Sequence, residues 1–92
     1  MAEAAKTVGI VNKRGLHARA SAKFVGAVAQ MDGVRVTVAK DGHEANGNSI
    51  LGLMMLGAAM GDHVEIRVAG DGAEARLAEL VALVEDGFGE DR

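Results

Sequence analysis

Two residues near the start of the chain have the types and spacing that phosphoryl chemistry requires. His17 carries an imidazole, which is a nucleophile when neutral, and Arg19 carries a guanidinium whose planar fork matches phosphate oxygens. Both lie in residues 15–21, between a predicted strand and a predicted helix. The free N–H groups and positive dipole end of a helix start favour an anion. We therefore predict that His17 carries a phosphoryl group and that Arg19 contacts it.

The composition limits the classes of protein to be considered. The chain has 92 residues, which suits one domain, and its core must be aliphatic because it has two Phe and no Tyr or Trp. A net charge of −3 without a basic block argues against a nucleic-acid binder. The absence of cysteine excludes disulfides and thiolate zinc sites and suits a reducing cytoplasm.

The sequence also lacks the features of exported and membrane proteins. Residues 1–6 contain no apolar signal core. The longest apolar run, residues 50–60, has eleven residues, whereas a bilayer span needs about 20. We expect a soluble cytoplasmic protein.

Hydrophobic periodicity predicts the element order β-α-β-β-α-β-α. The predicted strands are residues 7–11, 34–40, 43–47 and 63–69, and the predicted helices are residues 18–30, residues 50–56 and the segment around Leu77–Val84. Asp41 and Gly42 form a two-residue hairpin turn, and the polar strand after it suits a sheet edge. Because the strands alternate, each has one polar face, which favours an antiparallel sheet covered by helices on one side. The fold class is therefore α+β, with one domain over residues 1–92.

Several local signals set the expected ends of the helices. Asn48 or Ser49 is expected to cap the second helix. Asp71 and Glu74 resemble a capping box for the third helix, with Asp in place of Ser or Thr. The acidic tail after Phe88 is predicted to be frayed. The pairs Glu85-Asp86 and Glu90-Asp91 are predicted to be solvated and not a metal site.

The second helix is apolar nearly all round. Leu53 and Leu56 are predicted to face the sheet, while Leu51, Met54 and Met55 lie on another side of the helix. A domain this small cannot bury all of them, so we expect an exposed patch of the kind that docks partners. Methionine adapts to differently shaped partners.

The pairing of these two motifs resembles the HPr family, the phosphocarriers of the bacterial phosphotransferase system. The likeness rests on Gly15-Leu16-His17-Ala18-Arg19 and on the segment from Asn48 to Gly57, and it extends over about residues 6–85. The family fold is an open-faced sandwich of four antiparallel strands and three helices. The resemblance implies that Nδ1 of His17 takes a phosphoryl group from enzyme I, charged by phosphoenolpyruvate, and passes it to a histidine of an enzyme IIA-type acceptor.

The resemblance also implies roles for the other site residues. Arg19 contacts the phosphoryl group, and Ser49 is the regulatory serine, phosphorylated in relatives by HPr kinase. The implied partner-binding residues are Ile50, Leu51, Met54, Met55 and Ala20. The protein would then be a monomeric stoichiometric carrier rather than an enzyme, without a cofactor or a metal.

Two departures from the family pattern bear on the loop. Ala20 stands where the family often has Pro. Without the proline the unfolded chain is more flexible, which lowers the free energy of unfolding by about 0.4–1 kcal/mol. Arg14 stands where the family often has Asn, and the nearest asparagine is Asn12. Both departures resemble the branch tied to nitrogen-related and regulatory phosphotransferase chains.

Three other classes of function compete with this interpretation. A ferredoxin-like ligand-binding module has a similar order of strands and helices but requires a longer second helix. An HPr-like regulator that carries no phosphate is disfavoured because both His17 and Arg19 are present. A nucleic-acid module is disfavoured by the acidic balance of charge.

Overall fold

In the computed structural model, which describes residues 2–90, four antiparallel strands form one open sheet. The strands are β1 (Glu3–Gly9), β2 (Val34–Lys40), β3 (His43–Asn46) and β4 (His63–Gly70). The helices are α1 (Ala18–Ala29), α2 (Ile50–Met55) and α3 (Ala73–Glu85), followed by a 3₁₀ turn at Gly87–Gly89. The sheet order is β1-β4-β2-β3, so the predicted fold class and element order are confirmed.

Alternation along the strands places the core on one face of the sheet. In β4, Val64, Ile66 and Val68 are buried, and they lie against the apolar faces of the helices. α3 packs on β1 and β4, whereas α2 contacts β3 and α1. The hairpin after β2 has positive φ at both Asp41 and Gly42, as a type I′ turn requires.

The predicted bounds of the first strand are wrong. The strand covers residues 3–9 rather than 7–11, because the chain from Glu3 onward pairs with β4, from Glu3 opposite Ala69 to Gly9 opposite His63. Residues 3–6 carry little β propensity of their own, and the pairing partner decides their conformation. Beyond the strand, the N–H of Ile10 still donates to the carbonyl of Asp62, at 2.8 Å.

Two predictions at the third helix and after it are also wrong. The N-cap of α3 is Gly72, at φ 67° and without a side-chain cap hydrogen bond, so Asp71 and Glu74 form no capping box. The chain directly after Phe88 is not frayed, because Phe88 is completely buried and the carboxylate of Glu90 contacts Asn12 Nδ2 at 3.0 Å and His17 Nε2 at 2.6 Å. Asp91, the rest of the predicted tail, lies outside the described residues.

No helix within residues 2–90 is both long enough and apolar enough to cross a membrane.

Candidate functional site

The loop before α1 is held by backbone contacts that fix where the helix begins. Asn12 is completely buried, and its Nδ2 donates to the carbonyl of Gly15 at 2.9 Å. The N–H of Leu16 donates to the carbonyl of Ala58 at 2.9 Å. Gly15 has φ +62°, and a Cβ there would lie 2.2 Å from the Ala58 oxygen. Only glycine combines this left-handed conformation with so close an approach of two backbones.

His17 is the N-cap of α1, with extended φ −75° and ψ −177°. Its Nδ1 accepts the N–H of Arg19 at 3.2 Å, and its Nε2 lies 2.6 Å from Oε2 of Glu90. A backbone N–H can only donate and an ionised carboxylate can only accept. These two partners together assign the proton to Nε2 and leave the lone pair on Nδ1, at the N-terminus of the helix.

Glu90 connects the histidine to the buried asparagine of the loop. Its Oε1 accepts from Asn12 Nδ2 at 3.0 Å while Oε2 contacts His17, and its side chain is 15% exposed. Desolvation alone raises the pKa of Glu90, but hydrogen bonds from Asn12 and His17 and the charges of His17 and Lys23 outweigh it. The net pKa of Glu90 lies below its ordinary value of 4.5.

Cationic side chains surround the histidine. Lys13, Arg14 and Arg19 line an open surface depression together with His17 and Glu90. All three cations are exposed, so their positive charges can attract an anion but do not enclose it. Arg19 and His17 thus line the same depression, and contact of Arg19 with a phosphoryl group stays a prediction. No cluster of three or more metal-ligating side chains occurs within residues 2–90.

The second predicted site lies at the start of α2. Ser49, rather than Asn48, is the N-cap, and its Oγ accepts the N–H of Gly52 at 3.0 Å. Leu53 is completely buried, and the exposed side chains of the helix are Ile50 (41%), Leu51 (67%), Met54 (39%) and Met55 (77%). The predicted exposed apolar patch therefore exists; we call these four residues the α2 patch.

Ala20 does not belong to a partner surface. It has no exposed area, and it lies with Phe24, one turn later, in the apolar core beneath α1. A residue without accessible surface cannot contact a partner of the folded chain. Its assignment as a partner-binding residue is therefore corrected to a packing role.

Sequence reasoning missed two residues of the histidine site. Glu90 lies 73 positions from His17, and no local spacing in the sequence marks it. The family pattern marks Asn12 only as a displaced asparagine, whereas it is the side chain that ties the loop to Glu90. An asparagine three residues before a glycine turn is the one local signal of this role.

Comparison with known proteins identifies relatives of the chain. A family model described as the PTS HPr component phosphorylation site matches residues 4–86. The phosphocarrier protein HPr of Neisseria meningitidis is 46% identical over 86 residues, covering 92% of this chain and 94% of that protein. The phosphocarrier protein NPr of Escherichia coli K12 is 37% identical over 86 residues, covering 94% and 96%.

A solved structure gives the same answer for the fold. The crystal structure of HPr-C-His from Thermoanaerobacter tengcongensis superposes with a TM-score of 0.88 at 39% identity and covers all of both chains. A helix-capping histidine whose Nδ1 carries a lone pair, an arginine beside it and a match over nearly the whole chain lead to one conclusion. The chain belongs to the HPr family, the phosphocarrier proteins of the phosphotransferase system.

Proposed function

We propose that this chain accepts a phosphoryl group on Nδ1 of His17 from enzyme I, charged by phosphoenolpyruvate, and passes it to a histidine of an enzyme IIA-type acceptor. The observation that carries the proposal is the hydrogen bond at the N-terminus of α1 in which the Arg19 N–H donates to Nδ1 of His17, with 3.2 Å between the two nitrogens. The protein acts as a stoichiometric, monomeric carrier in the cytoplasm, and its partners supply most of the catalysis.

The helix start supports both halves of the transfer. Attack on phosphorus requires the neutral imidazole, and the Arg19 N–H at the helix start donates to the nitrogen, Nδ1, that must carry the lone pair. After transfer the phosphoryl oxygens carry the negative charge that the same helix end stabilises. The Arg19 N–H, which loses its acceptor when Nδ1 bonds to phosphorus, then becomes available to one of those oxygens.

Arg19 supplies charge neutralisation from the side chain. Its guanidinium is exposed in the depression around His17, where water screens it and its contribution is modest. A partner that covers the depression excludes water and strengthens the same charge. We propose that Arg19 matters most in the complex with enzyme I or the acceptor.

The α2 patch is our proposed docking surface for both partners. Four apolar side chains are exposed on one short helix, and α2 contacts α1, the helix that begins at His17. Two of the four are methionines, which adapt to more than one partner surface.

Ser49 is our proposed regulatory site for an HPr kinase. Ser49 is partly buried, and its Oγ caps the helix that carries the α2 patch. Phosphorylation adds about −1.5 to −2 charges beside apolar docking residues, while negative charge at a helix N-terminus leaves the helix stable. We therefore propose inhibition without unfolding. From Ala20 and Arg14 we propose that the chain serves the nitrogen-related branch of the phosphotransferase system rather than sugar uptake.

The test is transfer of label from radioactive phosphoenolpyruvate through enzyme I. We expect the wild-type chain to form an acid-labile phosphoprotein and His17→Ala to take up none. His17→Asn is the matched variant, because asparagine keeps a cap acceptor but has no nucleophilic nitrogen. His43→Ala and His63→Ala, which alter exposed histidines of the sheet, should label as the wild type does. Labelling of the His17→Asn chain at the wild-type level would refute the assignment.

A further inference from the structure

We infer that Glu90 is a positioning residue for phosphoryl transfer: it keeps the proton of His17 on Nε2 and accepts that hydrogen bond as the ring becomes positively charged. The inference rests on the proposed function, since it concerns how His17 is prepared for attack. It assigns a mechanistic role to the segment after α3, which the transfer chemistry at His17 and Arg19 does not otherwise use.

The geometry selects one tautomer from both sides of the ring. Glu90 Oε2 lies 2.6 Å from Nε2, and the Arg19 N–H lies 3.2 Å from Nδ1. The opposite tautomer would place a proton on Nδ1 facing the Arg19 N–H, and it would leave an Nε2 lone pair facing the carboxylate. Both contacts would then be repulsive.

The carboxylate is held in place by the fold. Three successive residues have positive φ, Gly87 at 66°, Phe88 at 57° and Gly89 at 72°, and they turn the chain back toward the start of α1. Left-handed backbone is strained for phenylalanine, and complete burial of its ring holds it there. Lys23 Nζ binds the Phe88 carbonyl at 2.6 Å, and Asn12 Nδ2 binds the second carboxylate oxygen of Glu90 at 3.0 Å.

The transfer step shows what the carboxylate does. The Nδ1 lone pair attacks phosphorus of the donor phosphohistidine, and an Nδ1–P bond forms. The donor N–P bond breaks, and its electron pair returns to the donor ring. The Nε2 proton of His17 stays in place, so the phosphorylated ring carries a positive charge next to Glu90. The buried aspartate of the Ser-His-Asp triad stabilises its imidazolium in the same way.

The same hydrogen bond serves the onward transfer. When the acceptor attacks phosphorus, the ring of His17 leaves as a neutral imidazole because its proton remains on Nε2. Loss of that proton from the phosphorylated ring would make the leaving group an anion, which is a poorer one. Glu90 therefore supports transfer in both directions.

Glu90→Gln tests the carboxylate with almost no change of shape. An amide has one acceptor, while Glu90 must accept from both Asn12 and His17. Asn12 Nδ2 also donates to the carbonyl of Gly15, so the glutamine must turn its oxygen to Asn12 and its nitrogen to Nε2 of His17, which favours the Nδ1–H tautomer. Glu85→Gln is the matched control, because Glu85 is an exposed carboxylate at the end of α3 and its removal changes the charge equally.

The first measurement is the tautomer of His17, read from the ¹⁵N chemical shifts of the ring at neutral pH without any phosphoryl donor. We expect the Nε2–H form to dominate in the wild type and in Glu85→Gln, and the Nδ1–H form to gain population in Glu90→Gln. The second measurement is the initial rate of labelling from charged enzyme I, which we expect to fall about tenfold in Glu90→Gln. Glu90→Asp, which keeps the charge, should recover part of that rate.

The two measurements separate the failures. If Glu90→Gln has the wild-type tautomer, or labels at the wild-type rate, the role of Glu90 is refuted. If even the wild type takes no label, the proposed function fails, and the ring spectra still decide whether Glu90 sets the tautomer. A melting temperature of Glu90→Gln only slightly below that of Glu85→Gln would show that the effect is not a loss of fold.

Discussion

In two helices of this protein, the side-chain atom that caps the N-terminus is also the atom that we propose is phosphorylated. Nδ1 of His17 accepts the N–H of Arg19 at the start of α1, and Oγ of Ser49 accepts the N–H of Gly52 at the start of α2. The local device is the same, a side-chain acceptor that caps free backbone donors. The surroundings differ, because cations and a carboxylate line the first site and exposed apolar side chains follow the second.

That difference shows that a helix start alone does not determine the function of the residue that caps it. α1 has twelve residues and is anchored at its beginning by a loop with buried Asn12, whereas α2 has six. At His17 the neighbours favour arrival and departure of an anion. At Ser49 the same added charge lies beside a surface suited to apolar contact. On this basis we propose a carrier role for the first site and a switching role for the second.

The largest expected effect breaks the first region through its backbone. In Gly15→Ala the new Cβ would lie 2.2 Å from the Ala58 oxygen, so the loop must move. Since a misplacement of about 1 Å can reduce a transfer rate about 100-fold, we expect a loss of that order in labelling from enzyme I. We also expect the variant to melt well below the wild type.

Gly57→Ala, after α2, is the matched control. Gly57 has a similar φ of +65°, but a Cβ added there would meet no atom within 4 Å. The variant should carry only the left-handed penalty of about 1–2 kcal/mol, and its labelling rate should stay near that of the wild type. Equal rates for the two alanine variants would contradict our view that the loop at Gly15 positions His17.

The second prediction distinguishes the capping role of Ser49 from the effect of a negative charge at the same position. Ser49→Asp keeps a good N-cap, so its stability should stay close to that of the wild type. Its carboxylate beside the α2 patch must be desolvated on docking, so we expect the rate at low concentrations of enzyme I to fall at least about tenfold. Ser49→Ala should do the reverse, losing about 1 kcal/mol of stability at an unchanged rate. Denaturant unfolding and labelling kinetics on both variants make the comparison, and a fast Ser49→Asp variant would rule out the proposed switch.

The sequence predicts those features of the fold and the site that depend on residues close together in the chain. It does not predict those that depend on contacts between distant residues. Ser49 as a cap, His17 at a helix start and the hairpin at Asp41 depend on neighbours in the chain, and all are as predicted. The bounds of β1 and the ordered segment around Phe88 depend on partners far along the chain. Glu90 depends on a contact across 73 positions, which periodicity and capping rules do not encode.

Burial explains the remaining correction. Family position assigns Ala20 to the partner surface, yet its small side chain lies in the core with Phe24. Exposure of a helix residue depends on how the helix is rotated over the sheet. That rotation is fixed by packing and not by the capping motif that precedes it.

The smallest expected effect is a pH dependence confined to the first region. The pKa of Glu90 is lowered by its bonds to Asn12 and His17 and by the charges of His17 and Lys23, against the opposing effect of desolvation. A group whose folded pKa is depressed contributes stability above its unfolded value, 4.5, and loses that contribution as the pH falls through the lower folded pKa. The contact is partly solvated, so the effect on melting temperature should be small and weakened by salt.

The measurement is the difference in melting temperature between the wild type and Glu90→Gln from about pH 6 to about pH 3. We expect a constant difference above about pH 5 that shrinks below 4.5. The difference between wild type and Ser49→Ala should not change over this range. A Glu90→Gln difference as large at the acidic end as at the neutral end would mean that the carboxylate charge contributes nothing.

The turn at residues 87–89 has a practical consequence for anyone who handles this protein. It places Glu90 at the edge of the depression around His17, so an affinity tag or dye attached directly to Glu90 would begin beside the ring of His17. The start of β1 lies at the opposite end of the strand, about 20 Å from Gly9 by strand rise. Labels for binding or transfer assays therefore belong at the beginning of the chain, where they leave the approach of partners open.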